Sequence, residues 1–140
     1  IQESELKQKV EELNLQNQIH FLGFRKDIYK LCCAADLFLF ASLQEGLPVA
    51  VMEAMACGLP IIASRIRGNT DLIDEGKGGY LLEPRDTKGF ESTIKSVMQN
   101  KEKIKYMKEY NLIKIQRYSM ENIIRQMGNL YTDFMKEENK

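Results

Sequence analysis

Two glutamates separated by seven residues have the clearest potential for chemistry in this sequence. Glu45 follows a run of apolar residues, and Glu53 lies within the segment 49–57, whose other residues are all apolar. An ionised carboxylate is costly to bury without a partner, so we expect Glu53 to be kept there by a function. Each carboxylate can accept hydrogen bonds from the hydroxyl groups of a ligand.

The residues between the two glutamates predict a site for an anion. Gly46 permits close approach of a ligand to the backbone, and Pro48 suits the first turn of a helix. The free amides and the dipole of such a helix start favour phosphate. Glu53 lies about 7 Å along that helix, at ~1.5 Å per residue, and leans toward its start. The spacing therefore fits a ligand with hydroxyl groups at both ends of a phosphate. Binding of Glu53 to nearby backbone amides, with Glu45 merely solvated, fits equally well.

Strands alternate with helices along the chain, which predicts an α/β fold with a Rossmann-like parallel sheet and helices on both faces. The predicted strands cover residues 19–24, 36–41, 60–64 and 80–82. The predicted helices cover residues 3–15, 28–35, 48–58, 70–75, 87–100, 103–117 and 120–137, with Asp27 and Ser119 as N-caps. Ligands bind such folds at the carboxyl ends of the strands, so the loops 23–27, 42–47 and 65–69 should share one rim.

The composition is that of a globular domain and excludes several classes of protein. The 140 residues suffice for one domain with a core, and their net charge of zero lacks the basic excess of a nucleic-acid-binding protein. No apolar run could span a bilayer, and no signal peptide is visible. The three cysteines and one histidine have no metal or disulfide spacing, so we expect reduced thiols, no metal and a cytoplasmic location. Because the sequence begins at Ile1 within a helical pattern, we expect a fragment of a longer protein.

The stretch from Glu45 to Ser64 resembles the E-x7-E signature of retaining glycosyltransferases of family 4, the glycosyl transferases group 1. Flanking segments resemble strands of the same family at residues 19–24, 35–42 and 79–84. The resemblance runs from about Val10 to the last helix. Residues 66–73 are most similar to the capsular and exopolysaccharide branch, but they depart from the Gly-Gly-x-x-Glu of many relatives, which leaves Asp71 without an assigned role.

This resemblance implies that residues 1–140 are a partial C-terminal, donor-binding domain of a GT-B enzyme, without its first two strands and without the N-terminal acceptor domain. Glu45 would be the catalytic residue that contacts the donor sugar, and Glu53 would hold the ribose hydroxyls. The remaining donor-binding residues implied by the family are Gly46, Leu47 and Pro48 along the sugar and phosphate, Val49 and Ala50 at the diphosphate, and Phe24, Arg25 and Lys26 near the base. For Arg25 and Lys26 a solvated loop fits equally well, and for Arg65 and Arg67 it is the favoured interpretation.

The resemblance also implies what the chain lacks. Relatives neutralise the departing diphosphate with an arginine and a lysine that follow an earlier strand, and no such segment precedes Ile1. We therefore expect the chain alone to be catalytically inactive. In the family, two further strands lie between the 19–24 and 36–41 strands. We expect exposed strand edges, direct pairing of these two strands, or self-association.

The implied function is transfer of a sugar from a nucleoside-diphosphate sugar, expected to be a UDP-sugar, to a lipid-linked or saccharide acceptor in surface polysaccharide synthesis. No metal or other cofactor is expected, and the parent protein would be peripheral at the inner face of the cell membrane. The alternatives are a non-catalytic nucleotide-sugar-binding or interaction module and a fragment of a GT-B UDP-sugar epimerase. A P-loop or dinucleotide fold is disfavoured, because no Walker or Gly-x-Gly-x-x-Gly pattern follows a strand.

Overall fold

Three parallel strands in the order β1–β2–β3 form the sheet of the computed structural model, which describes residues 2–137. The strands are β1 (Phe38–Phe40), β2 (Ile61–Ser64) and β3 (Gly79–Leu82). In the register, Phe38 pairs with Ile61, which pairs in turn with Gly79. All four residues of β2 are buried, as expected for a central strand of a parallel sheet that is covered on both faces.

Helices connect and cover the strands. In the described residues they are α1 (Gln2–Glu12), α2 (Ile28–Ala34), α3 (Val49–Ala56), α4 (Asn69–Leu72), α5 (Thr87–Met98), α6 (Lys101–Lys114) and α7 (Met120–Glu137), with a 3-10 helix at Ile115–Tyr118. Ser119 is confirmed as an N-cap, because its Oγ accepts a hydrogen bond from the Asn122 amide at 3.3 Å. Asp27 occupies the predicted N-cap position of α2, although its carboxylate makes no capping hydrogen bond and accepts hydrogen bonds from Arg25 instead.

The core lies on both faces of the sheet because successive strand residues point in opposite directions. One cluster includes Val51, Ala54 and Met55 of α3 together with Ile61 and Ala63. The other includes Ile62 with Phe90, Val97 and Met107 of α5 and α6. The buried Asn111 of α6 donates hydrogen bonds to the carbonyl oxygens of Leu59 and Gly78, at 2.7 and 2.8 Å. These bonds hold α6 against the chain just before β2 and β3.

The predicted strand at residues 19–24 is wrong, since this segment has no strand structure. Its apolar side chains are exposed, and Phe24 is 90% exposed. A strand requires a neighbour that accepts its backbone hydrogen bonds, and the described part of the chain places no strand beside this segment. It does not pair with β1 either, so β1 is an edge strand within residues 2–137.

The last helix, α7, has the bounds that its pattern predicts, but its apolar stripe has no surface to pack on within the described residues. The side chains of this stripe are all exposed: Ile123, Met127, Leu130, Tyr131 and Phe134. No helix within residues 2–137 is both long and apolar enough to cross a membrane.

Candidate functional site

A pocket of about 880 Å³ opens where the loops after β1 and β2 meet. Its walls are formed by Gln44, Glu45, Gly46, Leu47, Arg67 and Asp71. Two of the three loops predicted to share a rim therefore meet at the carboxyl ends of their strands, as ligand sites in such sheets do. The third loop, residues 23–27, contributes nothing to the walls of this pocket.

The two loops are held together by the close approach of Gly68 to Gly46. A Cβ atom on Gly68 would lie 2.3 Å from the carbonyl oxygen of Gly46 and 3.2 Å from Cδ of Pro48. Gly68 also has a φ of +87°, which side chains disfavour. Only glycine fits this position, and the loop after β2 therefore supports the backbone on either side of Leu47.

The side chain of Asn69 holds the loop after β2 in place. It is fully buried, and Nδ2 donates a hydrogen bond to the carbonyl oxygen of Ser64 at 2.8 Å. The amide of Ile66 donates to the same carbonyl oxygen at 2.9 Å. Oδ1 of Asn69 and Oγ of Ser64 are buried without a hydrogen-bond partner among the described residues, which is rare in folded proteins. Sequence reasoning missed both residues, although the departure of residues 66–73 from the common family pattern pointed to this loop.

The start of α3 follows the pocket wall in the chain, because the buried Pro48 joins Leu47 to the first turn of the helix. No side chain caps the helix. The amides of Val49 and Ala50 therefore belong to the first turn, where helix amides have no partner within the helix. The side chain of Val49 is 65% exposed, so the helix start faces open space. An anion could bind at these amides.

Glu53 is exposed, so the expectation that it is a buried carboxylate is wrong. The apolar residues of α3 divide between two faces. Val51 and Met55 are fully buried, whereas Val49 and Glu53, one helical turn apart, face outward. The carboxylate of Glu53 makes no hydrogen bond or ion pair to the residues that the structure describes, which does not fit the interpretation that it satisfies nearby backbone amides. Its carboxylate is available to a ligand.

Glu45 is half-buried in the wall of the pocket, and its carboxylate has no partner within residues 2–137 either. Gly46 and Leu47 beside it are exposed. The pocket walls thus contain three of the predicted donor-binding residues, Glu45, Gly46 and Leu47, and Glu45 is also the predicted catalytic residue. Val49, Ala50 and Glu53 follow along α3, outside the walls of the pocket.

The loop predicted to lie near the base is exposed. Arg25 donates two hydrogen bonds to the carboxylate of Asp27, at 2.6 and 2.7 Å. These bonds raise the pKa of Arg25 and lower that of Asp27. Lys26 is exposed beside them. The charge of Arg25 is therefore partly neutralised, and the exposed Phe24 is the member of this loop best suited to stack on a base.

The two arginines after β2 differ in their surroundings. Arg65 forms an ion pair with Glu75 at 2.6 Å and donates a hydrogen bond to the carbonyl oxygen of Leu81 at 2.8 Å. It therefore fastens β2 to β3 and is more than a solvated residue. Arg67 lies in the wall of the pocket and forms no ion pair within the described part of the chain.

The fold is that of the carboxyl-terminal domain of GT-B glycosyltransferases. Within that class, the chain belongs to the glycosyl transferases group 1 family, whose sequence model matches residues 2–113.

The chain spans only about a quarter to a third of the length of the curated proteins that it resembles. The N-acetyl-alpha-D-glucosaminyl L-malate synthase of Bacillus anthracis is 30% identical over 94% of the chain, which spans 35% of that protein. The UDP-Gal:alpha-D-GlcNAc-diphosphoundecaprenol alpha-1,3-galactosyltransferase of Escherichia coli is 38% identical over 64% of the chain and 23% of its own length. Among solved structures, Anabaena Alr3699/HepE in complex with UDP superposes with a TM-score of 0.87 at 30% identity, over 93% of this chain and 36% of that one. The same protein has been solved with UDP-glucose.

Proposed function

We propose that this chain is the donor-binding part of a retaining glycosyltransferase of family 4. Its parent would move a sugar from a UDP-sugar to a lipid-linked or saccharide acceptor in surface polysaccharide synthesis, at the inner face of the cell membrane. The observation that carries the proposal is the pocket whose walls hold the free carboxylate of Glu45 together with Gly46 and Leu47, which lead into the uncapped start of α3. The UDP and UDP-glucose complexes of Alr3699/HepE support the choice of nucleotide.

Each part of the donor has a candidate partner in this arrangement. The carboxylate of Glu45 would accept hydrogen bonds from hydroxyls of the donor sugar. The amides of Val49 and Ala50 would bind the diphosphate at the helix start. Glu53, on the exposed face of the same helix, would accept hydrogen bonds from the ribose hydroxyls. Phe24 would stack on the base. From Glu45 through Val49 and Ala50 to Glu53, the chain follows the order of sugar, diphosphate and ribose along the donor, whereas Phe24 comes from an earlier segment.

The reaction breaks the bond between the anomeric carbon and the phosphate oxygen, and the electron pair of that bond leaves with UDP. The acceptor hydroxyl forms the new bond on the same face of the sugar and gives up its proton to the departing diphosphate oxygen. Developing charge on the diphosphate requires nearby cations. Of the described residues that line the pocket, Arg67 alone is cationic. We therefore propose that the 140-residue chain binds the donor without turning it over.

The exposed surfaces support a further part of this proposal. The apolar stripe of α7 and the free edge of β1 are both uncovered within residues 2–137. Such surfaces favour association. We propose that the isolated chain self-associates through them.

Titration with uridine nucleotides tests the proposed donor site. The wild-type chain should bind UDP at millimolar concentrations or below, and more tightly than GDP. Glu53→Gln should reduce the affinity for UDP about tenfold or more, because hydrogen bonds to a charged carboxylate contribute about 1.5–3 kcal/mol. Glu109→Gln, at an exposed position of α6, is the matched control and should leave the affinity unchanged.

The outcomes separate the proposal from its alternatives. Equal UDP affinity in the Glu53→Gln and wild-type chains would contradict the proposal that Glu53 binds the ribose. Failure of the wild-type chain to bind any uridine nucleotide would favour an interaction module. The epimerase alternative is tested with the full-length parent, by asking whether it transfers the sugar of UDP-glucose to water or an acceptor, or instead releases a 2-epimer of that sugar.

A further inference from the structure

The guanidinium of Arg67 is a cation in the pocket that no described residue neutralises. Arg65, two residues earlier, is instead paired with Glu75 and bonded to the backbone of β3. Arg67 has no carboxylate within ion-pair distance, although Glu45 and Asp71 lie in the same walls. A guanidinium presents five donors in one plane, a geometry that matches carboxylate and phosphate oxygens. Its most suitable partner is therefore a ligand.

The backbone at Arg67 is held in place on both sides. Ile66 and Asn69 both bond to the carbonyl oxygen of Ser64, and Gly68 lies against Gly46. A side chain on such a supported backbone loses less conformational freedom when it binds than one on a free loop. The structure of the loop therefore presents Arg67 to the pocket.

The same contact places Arg67 near the helix start. Gly68, which follows Arg67, also lies against Cδ of Pro48, and the amides of Val49 and Ala50 come next in the chain. Arg67 therefore lines the pocket beside a glycine that contacts the N-cap residue of α3, whose uncapped start lies just beyond the pocket walls. Both favour a phosphate group, the arginine through paired hydrogen bonds and the helix through its amides and dipole.

From these contacts we infer that Arg67 binds phosphate oxygens of a diphosphate in this pocket. The inference rests on the proposed function, which supplies two possible diphosphates. One belongs to the sugar nucleotide, and the other to a lipid-linked acceptor such as the one in the name of the E. coli relative. Arg67 would hold the phosphate by charge and geometry, whereas Glu45 contacts the sugar.

The affinity difference between UDP and uridine measures this contact in the 140-residue chain. Both ligands share the base and ribose, so only the diphosphate changes. Arg67→Gln should reduce the affinity for UDP about tenfold, since charge-assisted pairs are among the stronger hydrogen bonds. The affinity for uridine should stay unchanged. Arg67→Lys should keep part of the affinity difference between UDP and uridine, because it preserves the positive charge but not the planar guanidinium. Lys88→Gln, which removes an exposed cation on α5, is the control and should change neither affinity.

A short prenyl diphosphate distinguishes the two sources of the group. If Arg67→Gln reduces the affinity for UDP alone, Arg67 binds the donor diphosphate. If it reduces the affinity for the prenyl diphosphate alone, Arg67 binds the acceptor diphosphate. Equal affinities of wild-type and Arg67→Gln chains for both diphosphates would overturn the inference, as would an equal loss for UDP and uridine, which indicates a structural effect. Uridine binding that depends on Glu53 while Arg67→Gln changes nothing would leave the proposed function standing without this inference.

Discussion

The Cα atom of Gly68 faces the carbonyl oxygen of Gly46 so closely that a Cβ atom would lie 2.3 Å from it. Residues that are distant in sequence thus set the distance between the two loops of the pocket. The contact is between backbones, so neither partner can move aside as the end of a flexible side chain would. The position of Glu45, one residue before Gly46, therefore depends on the loop after β2.

Gly68→Ala should lower the free energy of unfolding by about 2 kcal/mol or more, because it combines a steric clash with strain at positive φ. It should also shift the backbone amide resonances of residues 45–48. Urea unfolding and a two-dimensional amide spectrum measure the two effects. Gly46→Ala is the control for the unfolding measurement, since a Cβ there would meet nothing within 4 Å. A Gly68→Ala chain as stable as the wild type would contradict the importance of this contact.

Local patterns predicted much of this fold, and the failures have physical causes. The bounds of α7 and the position of α3 followed from helical periodicity and from Pro48. The exposure of Glu53 could not be predicted, because an apolar run does not reveal that one helix face lacks a covering element. The segment 19–24 has the composition of a strand, but pairing depends on a neighbour that its own residues do not encode. The contact of Gly68 with Gly46 likewise arises only in the folded chain.

Asp74→Asn should destabilise the chain by about 1–2 kcal/mol at neutral pH, because it leaves the buried Lys114 without its partner. The Nζ atom of Lys114 lies 2.7 Å from Oδ1 of Asp74, whose side chain is 43% exposed, so solvent weakens the pair. Urea unfolding measures the loss. Glu91→Gln removes a surface pair with Lys95 and should cost less than about 0.5 kcal/mol.

The contribution of Asp74 should disappear in acid. Lys114, followed by the hydroxyl of Tyr110, holds the pKa of Asp74 below its ordinary value. A carboxyl group with a lowered pKa in the folded state stabilises the fold above its unfolded pKa, and this stabilisation is lost as the pH falls through the folded pKa. The difference in unfolding free energy between wild-type and Asp74→Asn chains should therefore be largest near neutrality and shrink below the unfolded pKa of about 3.9. A difference independent of pH would contradict this.

Alkylation should distinguish the three free cysteines. Cys33 is exposed, Cys32 is buried, and burial raises the pKa of Cys57 to about 11. Because the thiolate is the reactive form, iodoacetamide at pH 8 should modify Cys33 first, and the other two at least about tenfold more slowly. Mass spectrometry of peptides over a time course measures the order. The three rates should converge in denaturant, and initial modification of Cys57 would contradict the structure.

Self-association should depend on the apolar stripe of α7. Leu130 is 70% exposed at its centre, and burying such a side chain against another chain would contribute about 1.5–3 kcal/mol. Leu130→Lys should therefore shift sedimentation of the isolated chain toward the monomer. Ile113→Lys is the matched control, because Ile113 is also exposed but lies on α6, outside the stripe. Equal shifts in the two variants would indicate a general effect of added charge. A wild-type chain that stays monomeric at high concentration would show that neither the stripe nor the edge of β1 associates with a second copy.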